Sequence, residues 1–421
     1  MSGRAGSDED PAAGTAELTS VDAAAALDQA DPLGGLRESF VGSEQPLVYL
    51  DGNSLGRLPR ATAQRLRVVV EQEWGSRLIR GWQEGWMELP LRAGDRLGAV
   101  ALGAAPGQVA LADSTTVCLY KLASAAIAAR PDRTEIITDH DNFPTDRYVL
   151  EGLAAAHGLT IRWLPGGSGF GPEPEQVAAL AGERTALIAL SHVAHRSAFL
   201  LDLPAITAIA HEAGALALWD LSHSAGAVPI GLDDAGVDLA VGCTYKYLNS
   251  GPGAPAFLYV AAEHPASLRQ PVWGWLGRDD PFAMAPGFTP APGITAMLSG
   301  TPPVLALSAV LAGLELLAEA GLEAVRAKGV ALGEYAIALA DAWLSPWGAQ
   351  IASPRQSERR GSHVAVAHPD ARALCRELIA AGVIVDFREP DIIRAGLSPL
   401  STSYTDVRSG LLTLRDLLTA R

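Results

Sequence analysis

The sequence predicts an α/β protein, with a large domain built on a mainly parallel sheet and a smaller C-terminal α+β domain. Three observations carry this. From Gln108 onward, short apolar runs alternate with helical patterns: QVALADS, TTVCLYKLASAAIAA, TEIITD, a helix beginning near Thr145, and LTIRWLP. Such alternation marks parallel βαβ units. TALIALSH is then followed by Asp202 as a helix N-cap, a helix ending at Gly214, and the strand ALALW with Asp220 at its carboxyl end. After about Pro303 the pattern changes to a long helix, HVAVAH, the helix DARALCRELIAAG, VIVDFRE and a closing helix from Ser403.

Taken in order, the first 18 residues are rich in Gly, Ala, Ser and acid and read as a disordered tail. The strand VDLAVGC ends just before Thr244, Tyr245 and Lys246, so an amine and the Asp220 carboxylate leave the sheet at comparable places. Open α/β sheets bind ligands at that edge. Between Gly251 and Pro303 the Gly and Pro density is high and periodicity fades, which predicts long loops.

Bulk properties narrow the function. The 421 residues are 48% hydrophobic and 19% charged, enough apolar material for large cores. With 32 basic against 47 acidic residues the net charge is -15, which repels nucleic acid and anionic membrane surfaces and points to a small-molecule partner. Cys118, Cys243 and Cys375 are odd in number and widely spaced, so neither a disulfide framework nor a CxxC metal site is expected, and a reducing cytoplasm fits. No apolar run approaches the roughly 20 residues that span a bilayer, and the N-terminus lacks the apolar core of a signal peptide. HExxH, GxGxxG after a strand, and Walker A patterns are missing; His192 and His195 are the nearest approach to a metal pair, so no metal is expected.

Several residues have chemistry suited to one site. Lys246, between an apolar strand and the turn NSGPG, can form a Schiff base, although alone it also reads as a surface lysine. Asp220 stands where an acid can pair with a pyridinium nitrogen, and alternatively as a cap for LSHSAGA, with His223 three residues on. Ser114, Thr115 and Thr116 open a helix, where free N–H groups attract phosphate or are simply capped. HDNFPTDRY offers Phe143 for stacking and Asp146 close behind it.

In order and spacing, LDGNSLGRLP, EWGSRLIRGW, ADSTTVCLYK, DNFPTDRY, LSHVAHRS, WDLSHSAGAVP, GCTYKYLNSGPGAPAF, GWLG and LSGTPP resemble the kynureninase family of fold-type-I pyridoxal-phosphate (PLP) enzymes. The match spans about residues 48 to 305 and is weaker beyond. It implies a fold-type-I PLP-dependent transferase fold divided into a tail (1–18), an N-terminal segment completing the small domain and the site (19–75), a large PLP-binding domain (76–305) and a small C-terminal domain (306–421).

The resemblance implies that Lys246 carries PLP and Asp220 pairs with its ring nitrogen, with Asp146 and His223 nearby and Phe143, followed by Pro144 and Thr145, against the ring. Thr115, Thr116, Tyr245 and Trp275 match phosphate contacts, and Ser191 another cofactor contact. Thr301 matches a position reaching cofactor and substrate across a subunit boundary, hence a homodimer. Arg394 aligns with the arginine for the substrate α-carboxylate, and Trp82 and Ser54 with the aromatic-amine end.

The implied reaction, part of tryptophan degradation, is hydrolysis of L-kynurenine to anthranilate and L-alanine. Lys246 would shuttle the α-proton, and Tyr245 would transfer a proton with its acidity favoured by the phosphate. Bulky Trp82 with small Thr301 resembles the pairing of bacterial members that favour unsubstituted kynurenine, with 3-hydroxykynurenine kept as a further substrate. His195, Ala198 and Ser250 depart from the family's usual tyrosine and two glycines. The rival readings are an aminotransferase, a cysteine desulfurase and a non-catalytic PLP-binding regulator.

Overall fold

The computed structural model describes residues 18–166, 170–264 and 267–421. The expected tail falls almost entirely outside these residues.

Thirteen strands are present among the described residues: β1 (Val48–Tyr49), β2 (Val109–Ala112), β3 (Glu135–Asp139), β4 (Thr160–Leu164), β5 (Thr185–Ser191), β6 (Leu216–Asp220), β7 (Leu239–Gly242), β8 (Ala256–Val260), β9 (Gln350–Ile351), β10 (His363–Ala367), β11 (Val383–Ile384), β12 (Asp386–Arg388) and β13 (Ile392–Gly396). Seven of them form the large sheet in the order β2-β8-β7-β6-β5-β3-β4. Neighbours from β7 through β4 are parallel, and β8 runs antiparallel to both β7 and β2. β8 is a correction to the sequence reading, which placed only loops between Gly251 and Pro303. The run AFLYV is short and bracketed by glycine and proline, yet it is fully buried in the sheet.

Alternate residues of these strands enter two separate cores, as the period of two requires. Ile137, Ile188, Leu190, Trp219 and Phe257 pack against the helices Leu89–Leu97, Leu203–Glu212 and Val304–Ala320. Ile136, Leu187, Leu218, Val241 and Leu258 face the helices Thr115–Ala128 and Pro144–His157. Each such aliphatic side chain contributes about 1.5–3 kcal/mol on full burial.

The long helix expected after Pro303 is two helices, Val304–Ala320 and Leu322–Trp343, which meet at 79° around Gly321. Gly321 has φ +77°, a conformation open to glycine that ends the first helix. Leu307, Val310 and Leu314 of the first helix belong to the large core, so the core of the second unit starts near Leu332 and not at 306. That unit is the antiparallel sheet β12-β13-β10-β9 covered by the helices Leu322–Trp343, Ala371–Ala380 and Tyr404–Thr419. The N-terminal chain joins it. Ala24 and Leu50 lie in its core, and β1 pairs in parallel with β11. Among the described residues, no single helix is long and apolar enough to cross a membrane.

The helix Tyr404–Thr419 starts with a Ser403–Asp406 capping box, and Asp28 accepts from the Tyr404 and Thr405 amides at 2.7 and 3.1 Å. Asp28→Ala leaves these amides without that carboxylate and lowers stability by about 1 kcal/mol, read as a lower denaturant midpoint. Ala198 adopts φ +64° where glycine is the unstrained choice. Ala198→Gly therefore raises stability by roughly 1 kcal/mol in the same measurement, and a loss of that size would contradict this account.

Candidate active site

Five parallel strands release their chains at one edge of the sheet. Ser191 ends β5 and Asp220 ends β6, and the two are paired in register. β7 runs into the loop that holds Tyr245 and Lys246. This loop is fixed from several sides. Thr244 Oγ1 donates to the Pro255 carbonyl at 2.6 Å, Tyr247 Oη to that of Ser362 at 3.0 Å, and the Gly56 amide to that of Tyr245 at 2.8 Å. A Cβ on Gly56 would lie 2.2 Å from the Lys246 carbonyl oxygen, so the motif DGNSLG needs glycine to lie against the lysine loop.

The loop borders a cavity of about 260 Å³. Thr115, Thr116, Phe143, Thr145, Asp146, Ser191, Asp220, His223, Tyr245 and Lys246 line it, so ten predicted site residues meet there. Lys246 Nζ lies 5.8 Å from the Phe143 ring centroid. Ser114 is the N-cap of the helix Thr115–Ala128, its Oγ accepting from the Val117 amide at 3.4 Å. Capping and an anion-accepting helix start thus coexist in one turn. Asn142, absent from the sequence reading, takes the Ser191 hydroxyl proton at 2.7 Å and the Phe143 amide at 2.8 Å, joining β5 to the aromatic wall.

The remaining predicted residues are off this wall. Pro144 opens the helix Pro144–His157. Trp82 packs edge-on against Trp86 at 5.2 Å. Trp275 is half-buried beside Phe282, and Thr301 is exposed. Arg394 is 1% exposed and lies behind the wall, its Nη1 donating to the carbonyl of His195, which does line the cavity. Ser54 accepts from Arg394 Nη2 at 3.2 Å, which places it at the arginine.

Sequence reasoning missed Asp386, whose carboxylate binds Arg394. The signal was available. Asp386 and Arg394 are spaced symmetrically about the turn at Pro390 and become cross-strand partners. It also missed Asp113 and Lys121. The fully buried Lys121 amine donates to Asp113 at 2.5 Å and to the Met297 carbonyl at 2.9 Å, holding the turn before Thr115.

Burial sets the protonation of the pocket. It raises the Asp146 carboxyl well above its usual range, reinforced by the charge and hydrogen bond of Asp220, so Asp146 keeps its proton. Burial pushes His195 down to about 3, helped by Arg394, and holds His223 well below its usual value, helped by Lys246. Both imidazoles are neutral. Burial and the adjacent Cys243 raise the Tyr245 phenol, so the chain itself keeps it protonated.

These residues fit PLP. The Asp220 side chain, buried at the cavity wall and held by the Ser222 amide at 2.8 Å, is placed to pair with a protonated ring nitrogen. The His223 Nδ1 is buried without a partner. Threonine hydroxyls and a helix start stand ready for a phosphate.

Comparison with known proteins agrees. The family model of the kynureninase C-terminal domain matches residues 325–414. A kynureninase of Burkholderia pseudomallei (strain 1106a) is 43% identical over 402 residues, 94% of each chain. The chain belongs to the kynureninase family. A kynureninase of Pseudomonas fluorescens is 42% identical over 400 residues, 93% of this chain and 94% of its own. Among solved structures, a C-DES mutant with glycine covalently linked to its PLP cofactor aligns with TM-score 0.79 at 20% identity, over 90% of this chain and 99% of its own. The apo cysteine desulfurase of Thermococcus onnurineus NA1 aligns with TM-score 0.80 at 15% identity, over 92% and 98%. These two share the fold. The three cysteines here are buried, and burial lifts Cys118 to about 12 and raises Cys243 and Cys375. None is a ready thiolate nucleophile of the kind a desulfurase needs.

One titration tests the electrostatics. Burial, aided by Asp141, raises Asp139 to about 7. A raised carboxyl contributes stability that is fully present below the unfolded value and lost as pH rises through the folded one. Asp139→Asn should therefore gain stability over the parent as pH rises from about 4 to 7, by up to about 1.4 kcal/mol per unit, and no further above that. A gain that does not change between pH 5 and 8 in denaturant melts would contradict it.

Proposed function

We propose that the cavity binds PLP through Lys246 and hydrolyses L-kynurenine to anthranilate and L-alanine, the kynureninase step of tryptophan degradation. The carrying observation is that the Lys246 amine, the Asp220–Asp146 pair and the threonines of a helix start line one cavity. The chain holding them is 43% identical to a kynureninase over 94% of its length.

When bound, PLP supplies an electron sink that stabilises negative charge on the substrate carbon bearing the amine. Thr115, Thr116 and the amides of their turn would hold its phosphate, and Phe143 would flank its ring. Asp220 would pair with the ring nitrogen, and the protonated Asp146 beside it would keep a hydrogen bond on the Asp220 carboxylate. Lys246 moves the proton at the substrate α-carbon. Tyr245, held neutral, donates a proton to the leaving carbon or the carbonyl oxygen. Arg394 receives the α-carboxylate.

The proposal extends to assembly. Trp275, Thr301 and Trp82 lie off the chain's own cavity, near exposed apolar Trp74, Leu78, Ile79 and Leu305. A second copy covers this face, bringing Trp275 and Thr301 to its partner's site, with Trp82 at the ring end favouring unsubstituted kynurenine. Three buried, unpaired thiols support a cytoplasmic location.

Purified, PLP-loaded protein given L-kynurenine should release equimolar anthranilate and alanine, followed by fluorescence and amino-acid analysis. A keto acid instead would establish transamination. Lys246→Ala should abolish turnover. Arg394→Lys should raise KM by roughly ten-fold or more, because an ammonium cannot make the two parallel bonds of a guanidinium. Leu305→Glu should convert a dimer to a monomer in sedimentation, with loss of PLP affinity.

A further inference from the structure

Arg394 has a planar guanidinium with five N–H donors in fixed directions, so a carboxylate on one edge fixes the whole plane. Asp386 supplies that carboxylate. Its Oδ1 accepts from Arg394 Nε at 2.7 Å, and its Oδ2 accepts from Nη2. Arg388 Nη2 also donates to Oδ2, at 2.7 Å, and Ser54 Oγ donates to it at 3.0 Å. Anchored by three residues, the carboxylate is not free to swing toward the cavity. Away from that edge Nη1 donates to the carbonyl of cavity-lining His195, while Nη2 also reaches Ser54 Oγ at 3.2 Å, the hydroxyl that itself donates to Asp386. With its amide turned to match its neighbours, Asn53 also accepts from Nη2 at 3.2 Å and donates to Asp51 at 3.3 Å.

The two ends differ in what a substrate can displace. A carboxylate shared by two arginines is held by charge, whereas a carbonyl and a hydroxyl are neutral acceptors that an anion replaces with stronger, charge-assisted bonds. We propose that Asp386 is the positioning residue of the substrate site: it holds the Nε edge of Arg394 so that the Nη1/Nη2 end meets the α-carboxylate in place of the His195 carbonyl and the Ser54 hydroxyl. This rests on the reading of Arg394 as the carboxylate receptor. Asp386 itself touches neither substrate nor cofactor.

The test is Asp386→Asn in the PLP-loaded enzyme. KM for L-kynurenine rises roughly ten-fold while kcat stays within about three-fold, the split expected when binding of the ground state and transition state is weakened alike. The inhibition constant of L-alanine rises in parallel, and that of a kynurenine analogue lacking the α-carboxylate does not move. Asp386→Glu, which keeps the charge, gives a KM between parent and Asn variant. A merely structural role would instead lower PLP content and weaken both inhibitors equally, which overturns the proposal. An unchanged KM in Asp386→Asn, with Arg394→Lys raised, overturns it while leaving the arginine reading intact. An unchanged KM in Arg394→Lys overturns that reading as well. If Asp386→Asn does not fold, Asp386→Glu carries the test, and a parental KM in it overturns the proposal.

Discussion

The parallel alignment of β7, β6, β5 and β3 is the constraint on which the site depends. Strands that run the same way end at the same edge, so the residues just past their carboxyl ends are delivered to one rim. Asp220, Ser191, the Phe143–Asp146 turn and the Lys246 loop come from positions up to 103 residues apart, counted from Phe143 to Lys246. They converge because the backbone ladder leaves no other arrangement. The antiparallel β8 ends at the opposite edge and contributes packing, while the residues leading into it, Gly253 and Ala254, still reach the cavity wall.

Around that rim the protein concentrates charge where burial resists it. Asp146 keeps its proton beside Asp220, His195 and His223 stay neutral, and Arg394 is buried but paired with Asp386. Burial opposes the charge on Asp386 too, yet Arg394 and Arg388 hold its carboxyl below the usual range. The nearby Asp51 is lifted to about 6 by burial and the charge of Asp386, against Ser54, Arg394 and Arg388, which lower it. The departures from the family pattern follow the same physical limits. Ser250 replaces a glycine without a positive φ and bonds the Leu248 carbonyl at 3.3 Å, whereas Ala198 keeps the positive φ of the glycine it replaces.

Much of this was legible in the chain. Alternating apolar runs located most strands of the large sheet, because a strand buried on both faces has few alternatives in composition. Ser403, Ser114 and Asp202 announced helix starts through their capping chemistry, and all three bond an amide there. Ten site residues around one cavity were anticipated, because their motifs sit where strands end. β8 was not legible, since glycine and proline on both sides mask a five-residue run. The break at Gly321 was not either, because both helices are apolar enough to read as one.

The sequence by itself determined the α/β class, the family and the identity of the groups that act, since these depend on residue type and local period. Tertiary structure alone decided their state and orientation. That Tyr245 is held as a neutral phenol, that Arg394 turns one end to the cavity wall and the other to Asp386, and that Lys121 braces the turn before Thr115 all depend on burial and on partners distant in the chain. Desolvation and pair geometry are properties of the packed interior, and no linear pattern specifies them.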